Sequence, residues 1–110
     1  ISTGTRSKLE VINEVRCQLE KRDLAGISDN RFSQQYLDRS RSYMSVIKHT
    51  GADVSDAALL ALYRNLHGMS CTWREIAETS PLSASRAQQN HFFYKGLSEL
   101  ALVALMVDAR

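Results

Sequence analysis

The residues of this 110-residue chain best equipped for chemistry form a run of hydrogen-bond donors: Arg39, Ser40, Arg41, Ser42 and Tyr43, then Ser45, Lys48 and His49. Arginine carries a planar fork of N–H donors that fits a phosphate or the acceptor edge of guanine. Lysine is a point charge suited to phosphate, and Ser and Tyr hydroxyls bond to either. Gathered on one short helix, these side chains suit the backbone and base edges of double-stranded DNA. Catalysis has no comparable support, because the chain holds no glycine-rich phosphate loop, nucleophile elbow or paired carboxylates; no enzyme is expected. His49, His67 and His91 are too scattered for a metal site by spacing, and Cys17 and Cys71 are lone thiols without a CxxC partner. No metal or other cofactor is therefore expected, and both thiols are expected to be buried and free.

Such donors need a helical frame, and the composition supplies one. Hydrophobic residues make up 44% and charged residues 24%, with one proline and five glycines, as in an ordinary globular domain. Apolar residues recur at three- and four-residue spacing, which predicts an all-α, compact bundle of about six helices. Ser7, with Glu10 three residues on, starts a helix through Leu9, Ile12, Val15 or Arg16, and Leu19, ending near Leu24-Ala25-Gly26. Residues 1–6, small and polar, are expected to fray. Ser28 or Asp29 caps a shorter helix that buries Phe32 and Tyr36 or Leu37. Asp38-Arg39 breaks it, and Ser40 is expected to cap a third helix over 41–49, with Met44 and Ile47 inward and Tyr43 and Val46 beside them. After Thr50-Gly51-Ala52-Asp53, a fourth helix runs from Ser55 or Asp56 through Leu59, Leu62 and Leu66 to His67-Gly68. A short helix over 72–78, capped by Thr72, is stopped by Ser80-Pro81. A last one runs from Ser83 or Ser85 to about Asp108. Its second half, LSELALVALMV, is apolar on almost every side, and such a helix is buried centrally or in an oligomer interface.

On these residues the stretch 27–66 resembles the lambda-repressor/Cro-type (phage-repressor-like) helix-turn-helix DNA-binding domain. Leu37-Asp38-Arg39-Ser40-Arg41-Ser42-Tyr43-Met44-Ser45 is similar to the family's turn and entry into the recognition helix. Gly51 is similar to its break, and Val54-Ser55 with Ala58–Leu62 to its next helix. Asp38 and Arg39 stand where the family has Gly and an apolar residue, and Val54 where it has proline. The resemblance implies that the helix preceding the turn braces the backbone, with the small Ser33 allowing close approach, while 41–49 enters the major groove. A second stretch, Trp73–Glu78 followed by a Ser-Pro turn and Ser83–His91, resembles the helix-turn-helix of sigma-factor region four. That resemblance implies a second reader made of Ser85, Arg86, Gln88, Gln89 and Asn90; a capping helix with a polar face is the competing reading.

The chain thus divides into 1–68, a helix-turn-helix domain with its N-terminal helix, and 69–110, a helical extension for packing, dimerisation or a second reader. Residues 1–50 hold nine Lys/Arg against six Asp/Glu, and 51–110 five against six, so the basic excess lies with the suspected reader. The function expected is sequence-specific DNA binding in transcription regulation. The alternative is a helical protein-interaction module, an antiactivator or adaptor, that retains the fold without touching DNA; Asp29 and Asp38 favour it. A homodimer through helix 97–107 is the expected pairing. The longest apolar run, Leu100–Val107, is far shorter than the ~20 residues of a membrane span. With no signal peptide and lone thiols, a cytoplasmic location is expected, and a start at Ile1 suggests a processed or trimmed chain.

Overall fold

Single hydroxyl residues set most of the helix starts. In the computed structural model, which describes residues 7–22 and 26–108 (side chains as far as Met106), Ser7 and Glu10 form the capping box. Glu10 N–H donates to Ser7 Oγ at 3.1 Å and Ser7 N–H to Glu10 Oε1 at 3.4 Å. They open α1 (Lys8–Arg22). Ser28 and Ser55 likewise accept from the N–H groups of Arg31 and Ala58 and open α2 (Asp29–Gln35) and α4 (Asp56–Thr79), satisfying N–H groups that have no partner within the helix. Between them lies α3 (Tyr43–Thr50), closed by Gly51 at φ 71°, a left-handed conformation that suits glycine. Pro81–Ser83 forms one 3-10 turn, and α5 runs Ala84–Asp108. The fold is all-helical among the described residues. The expected loose start over 1–6 and the helix end at Leu24-Ala25 lie outside them; Gly26, next in line, has a φ of 77°.

The count differs from the expected six because one boundary does not exist. α4 continues through Gly68, so the helices expected to end at His67-Gly68 and to restart at Thr72 are one. Glycine in a helix interior costs about 1 kcal/mol relative to alanine but does not forbid the helix. Leu66 and Ser70, buried on either side of it, hold the same face inward. Thr72 is no cap: its hydroxyl donates to the Gly68 carbonyl at 3.1 Å. The division expected at residue 68 thus falls inside α4.

α4 and α5, joined only by Ser80 and the Pro81–Ser83 turn, pack along each other over most of their length. The His91 ring meets the Ser70 carbonyl at 2.8 Å, which pairs the tenth residue before Ser80 with the eighth after Ser83, as antiparallel neighbours require. One hydrophobic core joins the elements. Val11, Ile12, Val15 and Leu19 of α1 and Phe32 of α2 meet Met44 of α3, Leu59, Leu62 and Leu66 of α4, and Leu97, Ala101 and Ala104 of α5. α5 is therefore inward on one side only; Leu100, Leu102, Val103 and Met106 stay exposed. No helix among the described residues is long and apolar enough to cross a membrane.

Candidate nucleic-acid interface

The expected reader is built on α2, the turn 36–42 and α3. Ser33 sits in the middle of α2 with no exposed surface. Its hydroxyl donates to the Asp29 carbonyl at 2.8 Å and accepts from the Met44 N–H at 3.1 Å. Met44 lies in the first turn of α3, so Ser33 satisfies one of the N–H groups left open at that helix start. This corrects the expected cap. Neither Ser40 nor Ser42 caps α3 with its side chain; the helix begins at Tyr43, whose N–H donates to the Ser40 carbonyl at 3.0 Å. A hydroxyl one helix away does the work because the small Ser33 lets the two backbones approach.

The turn itself is held at three points. Leu37 N–H donates to the Phe32 carbonyl at 3.3 Å and Arg39 N–H to the Ser33 carbonyl at 3.0 Å. Asp38 between them takes a φ of 52°, the left-handed region that glycine, asparagine and aspartate tolerate best. Asn65 reaches across from α4, donating to the Tyr36 carbonyl at 2.9 Å, with the Gln35 carbonyl at 3.2 Å and Asp38 Oδ1 at 3.3 Å. The open carbonyls at the end of α2 are thereby satisfied from another element.

Of the eight residues expected to face DNA, all but Tyr43 are exposed, and six of them, Arg39, Ser40, Arg41, Ser42, Ser45 and His49, have no ion pair among the described residues. The Arg39 guanidinium lies 5.9 Å from the Tyr43 ring centre; Arg41 has no hydrogen bond or ion pair among the described residues. The other two are taken up by the protein. Tyr43 is half-buried, and its hydroxyl accepts from the Ser55 N–H at 3.0 Å and lies 3.4 Å from Ser55 Oγ, pinning α3 to the start of α4. Lys48 Nζ lies 2.9 Å from Asp29 Oδ1, which also pairs with Arg16. The Lys48 and Arg16 hydrogen bonds hold the Asp29 carboxyl below its usual pKa. Arg16 is further fixed by the Ile27 carbonyl at 2.6 Å and by Glu20 at 3.2 Å.

Val46, expected near the core, is 52% exposed on the outer face of α3. With Met44 and Ile47 buried, a 100° step per residue puts 46 among 42, 45 and 49 on the opposite side, so the helix period carries this signal. An apolar side chain there suits a thymine methyl or a protein surface. The thiols depart from expectation too: Cys17 is exposed, and Cys71 is half-buried with its Sγ 3.6 Å from His67 Nε2. No three of the described His, Cys, Asp and Glu residues gather as metal ligands do.

The second set is arranged differently. Ser85, Arg86, Gln88 and Gln89 are exposed on the first turns of α5, but the helix before them is the end of the 24-residue α4 rather than a short brace. Asn90 is half-buried, and its Oδ1 accepts from Arg22, whose guanidinium also stacks 3.9 Å from the Phe93 ring centre. Asn90 thus ties α5 to α1.

Residues 12–93 match the model of a family described as a family of unknown function (DUF6626). No curated protein and no solved structure matches the chain.

Proposed function

The chain belongs to the DUF6626 family of unknown function, and we propose that it is a sequence-specific DNA-binding regulator whose α2–turn–α3 unit works as a lambda-repressor/Cro-type helix-turn-helix. The observation that carries this reading is the Ser33 hydroxyl bonded to both the Asp29 carbonyl and the Met44 N–H. It locks a short brace against a second helix whose outer face, with Arg39 and Arg41 at its entrance, stays open. On this reading Arg41 and Ser42 lead α3 into the major groove, Ser45, Val46 and His49 meet base edges, and Arg39 grips phosphate. One such unit touches few base pairs, so two are expected on a two-fold site, paired through α5.

The test is selection of bound duplexes from a random pool, followed by titration of the winner at two salt concentrations. Arg41→Ala is expected to weaken binding by ~1–3 kcal/mol. No enrichment at low salt, or binding indifferent to Arg41→Ala, overturns the reading. A protein-interaction module is favoured by a different observation, the neutralisation of Lys48 by Asp29 beside the exposed Val46. It predicts no enriched duplex and loss of a protein partner in Val46→Glu.

A further inference from the structure

We propose that the outer face of α5 binds a second copy of this chain, the two helices packing antiparallel with their crossing beside Gly96. The inner side of α5 is spent on the core through Leu97, Ala101 and Ala104, yet Phe92, Val103 and Met106 are 64%, 57% and 63% exposed. Phe92, Gly96, Glu99, Val103 and Met106 follow one another at spacings of four, three, four and three, the period of a helix–helix seam. Scattered exposed apolar side chains need no account, but a row of them along one helix does.

Gly96 is the second observation. It stands inside a 25-residue helix, where glycine is disfavoured, and a Cβ built there meets nothing within 4 Å. The space beside it is open, as it is at Gly68, and here, on the apolar face, that space admits the close approach of another backbone.

Charge is the third, and it selects the partner. Lys95 and Glu99 are exposed one turn apart, and neither side chain has a hydrogen bond or ion pair among the described residues. Two copies of α5 crossing antiparallel at the level of Leu97, one residue past Gly96, set Lys95 of each opposite Glu99 of the other, and Phe92 of each opposite the exposed Leu102 of the other. The surface is thereby complementary to itself, as a two-fold interface requires. A parallel pairing would oppose like charges. On that register the two helices overlap from Gln88 to Met106, about 27 Å at 1.5 Å per residue, a small contact that predicts a concentration-dependent equilibrium.

This deepens the pairing on which the DNA reading relies, and its test contains no DNA, so the two fail separately. Molar mass is measured by light scattering and sedimentation on the whole chain across a concentration series. The expected result is a rise from monomer to dimer. Val103→Glu, at an exposed position, is expected to keep the helical circular dichroism and to weaken pairing roughly tenfold or more. Gly96→Ala is expected to raise the melting temperature of the dilute monomer while weakening the dimer. Lys95→Glu and Glu99→Lys chains are each expected to pair poorly alone and well when mixed. A monomer at every concentration, a dimer indifferent to Val103→Glu, or a mixture no stronger than its components overturns the proposal.

Discussion

Asp29 is where α1, α2 and α3 meet electrostatically, one carboxylate serving Arg16 and Lys48. Its folded pKa lies below the ordinary 3.8, so the folded state holds a proton less readily than the unfolded chain. The stabilisation is therefore complete above the unfolded value and is lost as pH falls through the folded one. Urea midpoints of the wild type should fall toward those of Asp29→Asn below about pH 4, with a gap of about 1 kcal/mol at neutral pH for two partly solvated pairs. On the DNA reading the same substitution frees Lys48 and tightens binding, a change that titration with the selected duplex would register. Ser33 acts by hydrogen bonding instead. Ser33→Ala leaves the buried Met44 N–H without its acceptor and should lower stability by ~1–3 kcal/mol, seen as a lower urea midpoint at unchanged slope.

At the scale of elements, caps were legible and joins were not. Ser7 with Glu10, Ser28 and Ser55 act as their spacing predicts, since a cap is a contact between residues three apart and needs nothing from elsewhere. The start of α3 was misread at Ser40 because its capping group belongs to another helix. Gly68 was misread as a break because glycine weakens a helix without ending it, and the buried Leu66 and Ser70 outweigh that local cost. With open space around its Cα, Gly68→Ala should stabilise the chain by about 1 kcal/mol, measured as a raised denaturation midpoint. A loss of stability would mean that the backbone there is not regular helix.

Across the whole molecule, α5 decides how the parts cohere. Leu97 is buried in the same core as Val15 of α1 and Leu62 of α4, so the N-terminal elements and the α4–α5 hairpin should unfold together. Leu97→Ala is expected to cost ~2–5 kcal/mol and to move one transition, with the lone Trp73 and far-UV circular dichroism reporting the same midpoint. Separate midpoints would show two cooperative units. The apolar tail, which sequence could assign only to burial or to an interface, packs inward on one side and stays open on the other.

By itself the sequence determined the all-helical class, most helix starts and the inward residues of each amphipathic stretch, because spacing and capping act within a few residues along the chain. It also marked Arg41, Ser42, Ser45 and His49 as outward-facing; all four are exposed, Ser45 and His49 on α3 and Arg41 and Ser42 in the turn before it. Only the tertiary structure decided that Tyr43 and Lys48 are occupied, that Ser33 caps α3, that α4 runs unbroken through Gly68 and which side of α5 faces out. Each of these depends on a partner far away in sequence or on packing around the whole helix, and periodicity carries no information about which distant side chain arrives.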